Sequence, residues 1–141
     1  MSLSFDELVL KVQADLEEKT RARTKRLFTA IVMRTPVYTG HARANWNVSV
    51  DAPDYTVLQD NDLERVLVDI ERVDELPVGS VVYLSNGVPY IRLLEYGGYP
   101  NPPKKPTGRT TGGFSSQAPA GMVRTSIAEF GFEGETEGDN K

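Results

Sequence analysis

The sequence predicts an α+β fold: a long N-terminal helix, a small and mostly antiparallel sheet, one middle helix and a C-terminal helix. Three observations lead there. Apolar residues recur at i, i+3 and i+4 in separated stretches, the pattern of amphipathic helices. Between them stand short β-rich runs, of which Trp46–Val50 alternates cleanly. The chain has 141 residues and no cysteine, a size at which one domain buries a core without disulfide staples.

Taken in order, Ser4 and Glu7 read as a capping box opening a helix. Phe5, Leu8, Val9, Val12 and Leu16 follow on one face. The pattern thins between Glu17 and Arg26 and resumes at Leu27, Phe28, Ile31 and Val32. Read as one unbroken element of nearly 30 residues within 1–33, this helix would be roughly 43 Å long at 1.5 Å per residue. That is more than a domain of this size covers, so one end would pack on the core and the other dock elsewhere. The alternative reading is two helices with a frayed joint. Pro36 stops the helix, because the residue before a proline is driven out of the α region. Residues 35–40 then form a turn, with Gly40 free to take positive φ.

In the strand that follows, Trp46, Val48 and Val50 share one face, and Asn45, Asn47, Ser49 and Asp51 the other. Pro53 and Asp54 close it, and Tyr55–Leu58 reads as a brief further strand. Asp60 or Asn61 is placed to cap a second helix, whose stripe is Leu63, Val66, Leu67, Ile70 and Val73. Pro77 and Gly79 end it. Ser80–Ser85 is a short strand, Asn86-Gly87 a tight turn, and Pro89 opens a helical turn carrying Ile91, Leu93 and Leu94. Pro119 suits the first position of a last helix, with Met122, Val123, Ile127 and Phe130 on its apolar side and Gly131 at its end. Residues 131–141 are a polar, acidic tail.

Residues 97–117 stand apart. Four prolines and five glycines in that stretch forbid a helix and spoil a ladder. A loop this long in a small domain is either functional or disordered. It carries Lys104, Lys105 and Arg109 and no acid, in a chain of net charge −4. Residues 60–76 hold seven acids against two bases, with Asp62, Glu64, Asp69 and Glu71 forming an acidic face. Bases gather at Lys19, Arg21, Arg23, Lys25 and Arg26. An acidic chain with one basic loop is poorly suited to wrapping DNA, which takes many phosphate contacts. It is better suited to association between oppositely charged faces. The N-terminus lacks the shape of a secretory signal, and no apolar run approaches the roughly 18 residues of a membrane span. These features lead to the expectation of a soluble intracellular domain.

No motif in the chain points to an enzyme. His41 is the one histidine, beside a turn glycine, a setting more often solvated than catalytic. The Asp60–Glu64 run resembles a calcium loop but has Arg65 where the sixth-position glycine belongs. Gly108–Gly113 resembles a phosphate cradle without the lysine or the preceding strand of a P-loop. Glu95, between Leu94 and Tyr96, is expected to be paired or capping rather than catalytic, with Arg43 as its candidate partner. No cofactor or metal is expected.

Three blocks in order resemble one family. RTPVYTGHARANW (Arg34–Trp46) is similar to its helix-ending TPV-x-TG turn and Trp-led strand. VVYLSNGVPYIRLLEYG (Val81–Gly97) is similar to its strand–Asn–PY–LEYG block, and QAPAGMVRTSIAEF (Gln117–Phe130) to its terminal APAGM helix. The family is that of the neck, head–tail joining or tail-completion proteins of long-tailed bacteriophages, often called minor tail proteins. The resemblance covers roughly residues 20–130. It implies a small α+β subunit that assembles as a ring, hexameric or dodecameric, between the head connector or adaptor and the tail tube or tail terminator. DNA would be met only in transit, and no reaction is implied. The matched positions are Pro36, Thr39, Gly40, Arg43, Trp46, Asn86, Pro89, Tyr90, Glu95, Tyr96, Gly97, Ala118, Pro119 and Met122. In many members the EYG block runs almost straight into QAPAGM, whereas here residues 98–116 intervene. The sequence thus leads to a basic docking loop made of Lys104, Lys105, Arg109 and Phe114. A second reading is a binding module that contacts nucleic acid through the same loop, with Tyr99 and Phe114 for base stacking.

Overall fold

The computed structural model describes residues 11–37, 39–96, 110–111, 114–115 and 121–130. Its elements are β1 (Lys11–Asp15), α1 (Arg21–Arg34), β2 (Trp46–Val50), α2 (Leu63–Glu71), β3 (Val81–Asn86), α3 (Ile91–Tyr96), β4 (Thr110–Thr111), β5 (Phe114–Ser115) and α4 (Val123–Phe130). The class is α+β. β3 is the middle of a three-stranded sheet ordered β1–β3–β2, and both its neighbours are antiparallel to it.

Register decides what the sheet buries. Val12 stands opposite Leu84, Ala14 opposite Val82, and Val48 opposite Leu84. Successive side chains alternate between faces, so these residues share one side with Trp46. Leu27, Phe28, Ile31 and Val32 of α1 and Val66 and Ile70 of α2 join them in one continuous core.

The N-terminal helix is the first correction. Residues 11–15 form a strand, and the helix starts only at Arg21 after a 3-10 turn, Glu18–Thr20. Val12 and Leu16 are four apart, a spacing that satisfies the helical period and the strand period alike. The fully buried series is Val12, Ala14 and Leu16, with Gln13, Asp15 and Glu17 exposed, which is period two. The Ser4–Glu7 box and Phe5, Leu8 and Val9 lie outside the described residues. The helix end is as expected: α1 stops at Arg34, Thr35 is extended at φ −67° and ψ 128°, and Gly40 has φ +89°.

Tyr55–Leu58 is not a strand. Two asparagine side chains hold the segment instead, acting where a ladder would. The Asn47 amide donates to the carbonyls of Asp54 and Thr56, each at 2.8 Å. Asn45 donates to the Leu58 carbonyl at 3.0 Å and accepts the Leu58 N–H at 2.6 Å. Alternation had set these asparagines on the outward face, yet both are buried, because this segment lies over them.

The α2 cap is Asp62 rather than Asp60 or Asn61. Its carboxylate accepts the Arg65 N–H at 3.2 Å, while Asp60 accepts the N–H of Asp62 itself. All three residues are cap formers, so composition alone did not separate them. The helix passes into a 3-10 turn, Arg72–Glu75, that carries buried Val73. Beyond β3, the Asn86 side chain accepts the Val88 N–H at 3.0 Å and donates to the Ala42 carbonyl at 2.9 Å. Gly87 is required by close approach, since a Cβ there would lie 2.1 Å from the Tyr55 carbonyl oxygen.

Two further corrections concern the C-terminal part. β4 and β5 pair antiparallel, Thr111 opposite Phe114, within the stretch whose composition argued against any ladder. Gly112-Gly113 between them is a dipeptide suited to a two-residue hairpin. The last helix begins at Val123, not near Pro119, which lies outside the described residues. The remaining positions of the 97–117 loop and residues 131–141, Gly131 among them, also lie outside.

Candidate functional site: docking surfaces around a buried clasp

Glu95, in the last turn of α3, is only 1% exposed. Its Oε1 accepts the backbone N–H groups of Met122 at 2.8 Å and Val123 at 2.7 Å, and its Oε2 accepts that of Arg124 at 2.9 Å. These are N–H groups at the start of α4, which have no partner within the helix. A carboxylate there also meets the positive end of the helix dipole. The Arg124 guanidinium completes the arrangement. Its Nε donates to Oε2 at 2.8 Å, Nη2 donates to the Glu95 carbonyl, and the group lies 4.5 Å above the Tyr96 ring. Gly121 has φ +88°, and a Cβ on it would stand 2.5 Å from the Glu95 carbonyl oxygen. Glu95 is thus both paired and capping.

Its expected partner stands elsewhere. Arg43 lies at the end of α1, where Nε donates to the Thr35 carbonyl at 3.2 Å and Nη2 to the Met33 carbonyl at 2.7 Å. It satisfies carbonyls that the helix leaves open, and burial lowers its pKa. Arg124, inside the apolar pattern of the last helix, was the residue that the sequence reading missed.

Thr35 was missed as well. Its hydroxyl donates to the Ile31 carbonyl at 2.7 Å and accepts the indole N–H of Trp46 at 2.9 Å, all buried. Arg34 reaches α4, where it bonds Ser126 at 3.1 Å and pairs with Glu129. Of the other matched positions, Pro36 and Met122 are buried, while Pro89, Tyr90 and Tyr96 face outward.

The acidic face is unevenly committed. Asp62 caps its helix, Asp69 lies 3.6 Å from Arg65, and Glu71 lies 3.3 Å from Lys25, which also holds Asp74 at 2.6 Å. The hydrogen bond to Asp74, ahead of that to Glu71, raises the Lys25 pKa. Glu64 is exposed and has no partner among the described residues. It lies beside Leu63, Leu67, Val68 and Glu71, which line a shallow, largely apolar groove on the outer face of α2.

Of the loop residues expected to dock a partner, Lys104, Lys105 and Arg109 lie outside the described residues, as does Gly97. Phe114 falls on β5, which packs against α3. His41 Nδ1 lies 3.1 Å from the Asn61 side-chain oxygen and 3.3 Å from the Asn45 amide, a tie between two loops. Among the described residues no group of three His, Cys, Asp or Glu side chains is placed to hold a metal ion. No helix among them is long and apolar enough to cross a membrane. Comparison of the chain with known protein families, with curated proteins and with solved structures finds no match.

Proposed function

We propose that this chain is a structural virion subunit of a long-tailed bacteriophage, placed at the neck or tail top. There it would form a ring that joins the head connector to the tail tube and lets DNA pass. One observation carries the reading: the three sequence blocks that resemble the neck family are bonded to one another in the fold. Glu95 of the second block caps the helix of the third. Asn86 of the second donates to Ala42 of the first, and Trp46 to Thr35 within the first. Asn86, Glu95, Trp46 and Met122 thus act as anchors of one scaffold, as a protein whose task is shape requires.

In this reading subunits meet head to tail, each offering two different patches to its neighbours around the ring. The basic loop at Lys104, Lys105 and Arg109 reaches the acidic face of a neighbour or of another neck protein. Some acids of residues 60–75 or of the tail face the lumen and keep phosphates from adhering. Imaging of the purified protein, alone and mixed with virions, tests the proposal. Rings or added density at the head–tail junction are expected, and a protein that neither oligomerises nor joins particles would overturn it. Sub-micromolar DNA affinity with steep salt dependence would instead support the nucleic-acid module.

A further inference from the structure

We propose that the outer edge of β1 is a self-recognition surface, at which two copies of this chain pair antiparallel about a two-fold axis through Gln13. β1 is an end strand of its sheet. Which of its backbone groups face outward follows from parity. The Leu16 N–H donates to the Ser80 carbonyl, whereas the Val81 carbonyl turns the other way to accept from Asp51. Backbone groups of successive residues point to opposite sides of a strand. With Ala14 opposite Val82 and Val12 opposite Leu84, the even positions of β1 bond β3. Lys11, Gln13 and Asp15 present their N–H and C=O groups to the open edge, and no backbone group among the described residues bonds them there.

The strand reads KVQAD, and in charge it complements its own reverse. Antiparallel pairing centred on Gln13 sets position 11 opposite position 15 of the second copy, and 13 opposite 13. Each of these pairs has its backbone groups turned to the edge, so each exchanges both N–H···O bonds. A lysine then stands across from an aspartate at either end of the ladder, an arrangement that stabilises a cross-strand pair. A slip of two residues that sets Lys11 across from Gln13 keeps the bonding parity but loses both charge pairs. The opposite slip sets Lys11 across from Glu17, outside β1, so the register centred on Gln13 is the one that holds both charge pairs within the strand. Exposed edges are commonly guarded by charge; here the charges guard against other strands and admit a second copy.

Such a contact is isologous and is distinct from the head-to-tail contact of a ring, so its test is independent of the neck reading. Sedimentation of the full chain should show a dimer in the micromolar range. Lys11→Glu and Asp15→Lys should each weaken it at least about tenfold, and the double variant should restore it. Gln13→Pro should abolish pairing, because it removes an outward N–H and leaves the ladder to β3 intact. Circular dichroism checks its fold, and if that variant does not fold, the charge exchange decides alone. Amide exchange at Gln13 should slow as protein concentration rises. A chain that stays monomeric up to roughly 100 μM overturns the proposal. So does any assembly, ring or dimer, that is indifferent to all four variants.

Discussion

The Oε1 atom of Glu95 accepts the backbone N–H of Met122 at 2.8 Å, across 27 residues of sequence. The chain between them therefore leaves and returns at one place, and a single buried carboxylate holds both ends of that excursion. Glu95→Ala would strand three backbone donors and leave Arg124 without its acceptor. The combined loss of a cap and exposure of unsatisfied groups is expected to cost about 3 kcal/mol. Glu95→Gln keeps one acceptor oxygen without the charge, and a loss of about 1–2 kcal/mol is expected. Arg124 is half exposed, so Arg124→Ala should cost less than about 1 kcal/mol. Urea unfolding measures all three, and a Glu95→Ala variant within about 0.5 kcal/mol of the parent would refute the clasp.

The Thr35 hydroxyl joins two elements, with Ile31 on one side and the Trp46 indole on the other. Thr35→Val preserves shape but leaves the indole N–H buried without an acceptor, at an expected cost of about 2 kcal/mol. Thr35→Ser should cost less than about 1 kcal/mol, because the hydroxyl survives. Trp46 is the one tryptophan of the chain, so its fluorescence during thermal unfolding reports on this bond directly. Equal melting of the valine and serine variants would show that the hydroxyl contributes nothing.

Gly87→Ala sets a Cβ 2.1 Å from the Tyr55 carbonyl oxygen and 2.9 Å from its carbonyl carbon. Both are backbone atoms, so the chain itself has to move. Overpacking of this kind is expected to cost about 2–3 kcal/mol. Because Asn45 and Asn47 hold the same segment, proteolysis should also begin to cut within residues 55–58. An alanine variant with parental stability and resistance would show that the segment gives way freely.

Asp54 supplies a pH dependence whose sign is fixed. Its carboxylate accepts the Thr56 N–H at 3.0 Å, and bonds from the Thr56 hydroxyl and backbone hold its pKa below the ordinary carboxylate value. A lowered folded pKa contributes stability above the unfolded value, and that stability is lost as pH falls through the folded one. The window lies below about pH 4. Asp54 is exposed, so the contribution should stay under about 0.5 kcal/mol. Asp54→Asn should remove it, which makes the fall in urea midpoint between about pH 5 and about pH 3 smaller than in the parent. An identical fall in both proteins would contradict this assignment.

What the sequence disclosed, and what it hid, follows from which interactions have a local signature. The end of α1 was legible because Pro36 acts on its own neighbour, the strand around Trp46 because alternation is local, and that around Val82 because its β-rich composition is. β1 was hidden because two apolar residues four apart satisfy both periods, and only its pairing with β3 decides between them. The role of Glu95 was legible in kind, since a carboxylate flanked by Leu94 and Tyr96 needs donors. Its donors were not, because they come from 27 to 29 residues away. Asn45 and Asn47 looked like solvent-facing positions until the 54–58 segment was laid over them.

The basic loop offers the sharpest test of the proposed ring contact. It brings three positive residues, Lys104, Lys105 and Arg109, and no acid. On the acidic face, Asp62, Asp69 and Glu71 already serve bonds within their own subunit, and Glu64 has no partner among the described residues. Reversal of the three loop charges should therefore weaken head–tail joining or ring formation, and Glu64→Lys should do so to a lesser degree. Combining the two should recover part of the loss, because opposite charges face each other again. Exposed charges are screened beyond about 8 Å at physiological ionic strength, so the defect should be deepest at low salt. Melting temperatures equal to the parent's would exclude a folding defect. Unchanged joining by the loop variant at both low and moderate salt would overturn the docking role of Lys104, Lys105 and Arg109.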